Sequence, residues 1–221
     1  LALNVGTPTT VGSLLWAVTN NGTEPGNDGF IAKWFDQGGN NNHAIQTTLL
    51  NQPKIVTGGA VEVDVNGLPT LEWDGANDYF DLTAGINTSQ IFYQSFVFER
   101  ATGGINSISL GNASSSPSTT WWINTNSLLS SMPSNVVHDF SVDFGQFLIT
   151  TLRDSSNDIK MWRDGVSLTT ATVVDGGTVL TRLGSRTVTR HMGQMSECIY
   201  FAKDKEADRV SIESNTNTYY S

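Results

Sequence analysis

The amino-acid sequence predicts an all-β fold, a two-sheet antiparallel sandwich with a short C-terminal helix. Three observations carry that expectation. Apolar and polar residues alternate with a period of two in short runs, such as VEVDV at 61–65, INSISL at 105–110 and VVHDFSVDF at 136–144, the pattern of half-buried strands. Turn signals separate the runs: Asn66-Gly67, Asp74-Gly75 and Asp164-Gly165 are residue pairs that tolerate positive φ. The composition agrees, with 21 glycines, many Ser, Thr and Asn residues and only 15% charged side chains. Roughly a dozen strands with turns about every 8 to 12 residues describe two packed sheets.

Taken in order, residues 1–10 are a polar lead-in, and SLLWAV at 13–18 suits either a short helix or a strand. A loop containing Gly and Pro spans 20–29. Residues 31–56 set an apolar run around Trp34 and Phe35 against a polar turn, Asp36-Gln37-Gly38-Gly39-Asn40-Asn41-Asn42. Asp and Asn there hydrogen-bond their own backbone, so the turn is expected to be tightly structured. The run 61–65 alternates, and 68–73 puts Leu71 and Trp73 on one face with Glu72 and Asp74 on the other. IFYQSFVFER at 91–100 is aromatic and β-branched enough for a central strand. After a Ser-rich loop at 112–120, Trp121-Trp122-Ile123 opens another strand. Residues 146–153 and 158–163 form a hairpin about Asp154-Ser155-Ser156-Asn157, and further strands cover 179–183 and 193–202. Only the tail, 203–220, has helical character, with Asp204 as its expected N-cap and Ala207, Val210 and Ile212 as its apolar side.

The bulk properties exclude several function classes. At 221 residues the chain matches one large β domain. A net charge of −9 and a pI near 4.6 argue against nucleic acid and anionic membrane surfaces, both of which need clustered Lys and Arg. Cys198 is the single cysteine, so no intrachain disulfide forms, and its apolar surroundings mark it as a small core residue. No apolar run approaches the roughly 20 residues of a spanning helix. His43, His138 and His191 are scattered, expected at surface or turn positions, with neither a nucleophile elbow nor zinc-ligand spacing beside them. The chain opens on Leu1 in mid-pattern, as a domain cut from a longer protein would.

Several motifs together resemble a known family. WFDQGGNNNHAIQ, then NQPKIV, then GLPTLEWDGANDYFDL, and later FLITTLRDSSNDIKMWRDGV and GQMSECIYFAKD, are similar to the concanavalin A-like, laminin-G-like jelly rolls of phage virion and bacterial surface proteins. The resemblance runs from about Phe30 to the C-terminus. It implies one jelly-roll domain over 1–221, forming the C-terminal part of a larger protein. It also implies a non-catalytic role in virion decoration or a fibre, with glycan adhesion as a companion role, on a virion exterior or an extracellular surface. The implied partners are other virion or surface proteins, cell-surface carbohydrate and further copies of the chain, although no heptad repeat is present to drive trimers. The polar turn is also similar to that of fungal-type α-arabinofuranosidases, which makes a glycoside hydrolase the alternative.

Fold alone does not choose between these. A glycosidase needs two carboxylates across a cleft, roughly 5 to 9.5 Å apart depending on mechanism. The nearest pairs are Glu62 with Asp64 and Asp139 with Asp143. Alternating acids are ordinary on any half-exposed strand, and jelly-roll glucanases carry a third acid that the Glu62 run lacks, so no catalytic residue is expected. Calcium is the metal the resemblance implies, held by Asp, Asn and carbonyl oxygens. Its candidates are Asp36, Asn40 and Asn42 in the polar turn and Asp74, Asn77 and Asp78 in the next, with simple turn closure as the plainer expectation. Trp121 and Trp122 are the glycan-binding candidates, because adjacent strand residues point to opposite faces and one must leave the core. Trp34, Trp73 and Trp162 are expected inside.

Overall fold

The computed structural model describes residues 6–7, 10, 13–20, 23–24, 26–100, 107–112, 120–123, 127–131, 136–139, 145–168, 171–172, 179–186 and 189–220, with the backbone alone described at 100, 107–109, 120–123, 127–131, 136–139 and 171–172. Among these residues two antiparallel sheets account for most of the chain. One runs Gly29–Phe30, Lys54–Thr57, Leu71–Asp74, Met192–Phe201, Phe92–Arg100, Gln146–Arg153, Asp158–Arg163 and Val166–Ser167, in that spatial order. The other runs Val136–Asp139, Ser127–Ser131, Thr120–Ile123, Ser107–Gly111, Val179–Leu183, Phe80–Asn87, Ala44–Ile45 and Lys33–Trp34. Neighbours in each sheet come from distant parts of the sequence, and the result is a jelly-roll β-sandwich with a short C-terminal helix.

The core lies between the sheets. Phe92, Phe96, Phe98, Phe147, Ile149, Ile159 and Met161 from the first meet Phe80, Ile86, Leu110, Leu180 and Leu183 from the second. Phe92–Arg100 is the central strand, pairing with Gln146–Arg153 on one side and Met192–Phe201 on the other. Its strong apolar content has a second cause. The helix Arg209–Tyr220 lies on the outer face of the same sheet, where Ile212 and Ile199 close over Tyr93, Leu152 and Trp162. Gln146–Arg153 is therefore buried on both faces, and Trp162 is buried as expected but on the helix side. Cys198 packs against the core, and burial pushes its thiol up to about 12.

Of the two alternatives for 13–18 the helix forms, Leu14–Val18, capped by the Ser13 hydroxyl accepting from the Trp16 N–H at 3.2 Å. Three expectations are corrected. The strand at 60–61 ends at Val61, and the alternation beyond it is inverted: Asp64 is buried while Val63 and Val65 are exposed. Asp64 is drawn inward because its Oδ1 accepts the Asn66 and Leu68 N–H groups, both at 2.9 Å, and its Oδ2 the Gln146 amide at 2.9 Å. The C-terminal helix starts at Arg209, not at Asp204, whose Oδ1 closes a preceding turn on the Glu206 N–H at 2.9 Å. Ile212, Glu213 and Thr216 make its packing face, whereas Val210 is exposed, because docking on the sheet selects the face. Finally, His191 is a core residue, 1% exposed and edge-on to Trp73 and Phe98. Burial pushes its imidazole down to about 4, so it is neutral at physiological pH.

Candidate functional site

The turn after the strand Leu71–Asp74 is built from its own side chains. Asp74 Oδ1 accepts the N–H groups of Ala76 at 2.8 Å and Asn77 at 3.1 Å, and Asp78 Oδ2 accepts the Asp74 N–H at 2.9 Å. Asn77 donates its amide to the Leu50 carbonyl, tying the turn to the neighbouring loop. Asp78 is 5% exposed, and burial, with the Asp74 charge adding to it, pushes its carboxyl up to about 6. This rigid turn delivers the half-buried ring of Tyr79 to the surface just before Phe80 enters the core.

Two arginines meet that ring. The register of Val179–Leu183 on Phe80–Asn87 sets Arg182 opposite Asp81, and its Nε donates to Asp81 Oδ1 at 2.9 Å. The Arg182 guanidinium carbon lies 4.4 Å from the Tyr79 ring centre. Gly184 then turns the chain with φ +77 into a small hairpin, Ser185–Arg186 against Thr189–Arg190. The hairpin brings the Arg190 guanidinium to 5.3 Å from the same ring, where its Nη1 donates to the Ser185 hydroxyl at 2.7 Å. Burial, and then the Arg182 charge, lower the Arg190 pKa. The surface thus gathers an aromatic ring, two fixed guanidinium groups and the exposed Asp81 carboxylate. The sequence reading missed Tyr79, Asp81, Arg182 and Arg190. A signal was present, since residues 176–196 hold three arginines and no acidic residue in a chain of net charge −9.

Of the calcium candidates, Asp36, Asn42, Asp74 and Asp78 accept backbone N–H groups. Asp36 Oδ1 accepts the Gly38 N–H at 2.7 Å and Oδ2 the Asn42 N–H at 3.0 Å, with Asn40 adding a further backbone bond. The Gly38 bond leads in holding its carboxyl below the usual range. Asn42 Oδ1 accepts the Ala84 N–H at 2.7 Å. Asp74 and Asp78 are occupied as described above. Among the described residues no three His, Cys, Asp or Glu side chains gather as metal ligands. A calcium cage needs six to eight oxygens turned inward, whereas the Asp36, Asn42, Asp74 and Asp78 oxygens named above face backbone N–H groups. Millimolar calcium is therefore expected to leave the thermal unfolding midpoint unchanged, whereas Asp36→Ala should cost about 1–2 kcal/mol from stranded N–H groups. A midpoint that rises with calcium in the wild type alone would restore the metal site.

Trp121 and Trp122 lie on the strand Thr120–Ile123, paired with Ser107–Gly111 and Ser127–Ser131, and their side chains lie outside the described residues. So do those of Asp139 and Asp143. Glu62 and Asp64 form no working pair, since Asp64 closes its own turn. A different pair of acids shares one row of the outer face, Glu72 and Glu99, each directly opposite Gln194 on the strand between them. Burial raises the pKa of both. Gln194 lies between them in the sheet, and its amide donates to the Val63 carbonyl at 3.2 Å.

The architecture matches solved structures at low sequence identity. The receptor-binding domain of botulinum neurotoxin type G superposes with a TM-score of 0.51 at 10% identity, over 86% of this chain and 51% of that one. A botulinum neurotoxin type C structure, described in terms of two ganglioside molecules needed for cell entry, gives 0.53 at 14% identity, over 85% and 51%. The chain spans about half the length of these toxin chains. A CBM40 domain of a Ruminococcus gnavus IT-sialidase, bound to α2,3-sialyllactose, gives 0.47 at 11% identity over 63% and 93%. No protein-family model matches the chain, and no curated protein matches its sequence. The likeness to the two toxin structures agrees with the fold, a jelly-roll sandwich.

Proposed function

We propose that this domain is a non-catalytic adhesion module on the exterior of a virion or cell-surface protein, and that it binds glycans at the Tyr79 surface. The observation that carries the reading is one ring, Tyr79, under the Arg182 and Arg190 guanidinium groups, with Asp81 paired to Arg182 across the strand register. Planar polar groups fixed over an aromatic ring suit saccharide hydroxyls, because the hydrogen-bonding partners are pre-positioned and little ordering remains to be done on binding. The jelly-roll fold is shared with toxin domains of which one is described by its ganglioside interaction. The virion setting is supported by the sequence motifs.

A glycan array probed with the full chain tests this. Tyr79→Ala should lower retention of the bound saccharide about tenfold or more, the equivalent of roughly 1.4 kcal/mol. Retention that depends instead on Trp121 and Trp122 would move the site along the same sheet, to the strand Thr120–Ile123. Binding to no glycan would overturn adhesion and leave assembly as the role. The hydrolase alternative rests on Glu72 and Glu99, and release of arabinose from an aryl arabinofuranoside, abolished by Glu72→Gln or Glu99→Gln, would establish it.

A further inference from the structure

We infer that the Tyr79 surface selects acidic saccharides, with the guanidinium groups of Arg182 and Arg190 binding a carboxylate or sulfate group. This inference rests on the glycan-binding reading and adds the ligand's charge to it. The chain carries 21 acidic against 12 basic residues, so its overall field repels anions, and attraction has to come from a local arrangement. Arg182, Arg186 and Arg190 fall within nine residues of a stretch with no acidic residue between 176 and 196. The turn at Gly184 and the hairpin that follows bring two of them to one ring.

Contact with Tyr79 immobilises the guanidinium groups, and a planar fork fixed in this way matches the paired oxygens of a carboxylate or sulfate. Asp81 orients Arg182 through Nε, and Ser185 orients Arg190 through Nη1. The two like charges oppose each other: burial and Arg182 both weaken the hold of Arg190 on its proton. An incoming anion relieves that repulsion. The facing acids set the limit on affinity. Asp81 pairs with Arg182, Asp74 attracts Arg190, and Asp78 is buried beneath the turn. The local charge is therefore close to balanced, and binding should be moderate and sensitive to salt.

The experiment uses the full chain on immobilised neutral saccharides and their acidic counterparts, among them lactose, 3′-sialyllactose and 3′-sulfolactose. The acidic forms should be retained about tenfold or more over their neutral parents, the scale of one charge-assisted contact. The preference should shrink when salt rises from roughly 0.05 to 0.5 M, where the Debye length falls several-fold. Arg182→Gln and Arg190→Gln should erase it, while Arg190→Lys, which keeps the charge and loses the fork, should keep part of it. Equal retention of neutral and acidic forms overturns the inference and leaves glycan binding standing, as does a preference that survives both glutamine variants. An acid preference in the wild type that ignores salt overturns it without any variant having to fold. Retention of no saccharide overturns both readings.

Discussion

Gly184→Ala is expected to lower the unfolding free energy by about 3 kcal/mol, the sum of a backbone cost and an overpacking cost. Gly184 sits at φ +77, where an alanine is strained by about 1–2 kcal/mol. A Cβ added there would lie 2.1 Å from Trp73 Cζ3. The ring cannot retreat, because Trp73 is fully buried and held edge-on by Phe80 at 5.5 Å and His191 at 5.7 Å between ring centres. In a Trp73→Phe background the missing benzo ring removes the clash, so the same alanine should cost only the backbone share, about 1–2 kcal/mol. Urea unfolding of the four proteins measures this coupling, and additive effects would show that the contact is relieved some other way. The same glycine starts the hairpin that carries Arg190, so Gly184→Ala should also weaken any ligand held at Tyr79.

Asp78→Asn is expected to stabilise the protein above pH 6 and to change nothing below pH 4. Burial raises the folded-state pKa from the ordinary 3.8 to about 6. Between those values the folded state holds a proton that the unfolded state has released. Stability therefore falls as pH rises through that window and stays at the lower level above it. The full span corresponds to about 3 kcal/mol, of which an amide should recover roughly 2 kcal/mol, since Asn keeps the acceptor for the Asp74 N–H and removes the buried charge. Burial also raises Glu72, Glu99 and Glu197, so the wild-type slope is shared among several groups. The difference between the two proteins isolates Asp78. Urea midpoints at pH 4, 5, 6 and 7 measure it, and an Asn variant less stable than wild type at pH 7 would refute the burial argument.

Some of this was legible in the chain itself. Alternation and turn chemistry act between residues a few positions apart, so the strands at 71–74, 146–153 and 158–163, and the hairpin about Asp154, follow from local sequence. The polar loop at 36–42 folds on Asp36 for the same reason. Local pattern failed where a distant element supplied the partner. Val63 and Val65 are exposed because Gln146, 82 residues away, helps hold Asp64 inside. His191 is buried because Trp73 and Phe98 converge on it from two other strands.

The candidate site belongs to that second group. Tyr79, Asp81, Arg182 and Arg190 share no spacing that a motif could express, because the register between Phe80–Asn87 and Val179–Leu183 brings them together across about a hundred positions. The sequence by itself determined the class of fold, since alternation, turns and composition need only near neighbours to act. Tertiary structure alone decided which face the helix Arg209–Tyr220 covers and which arginines gather on one ring, because both depend on burial and charge among residues that meet only once the two sheets have closed.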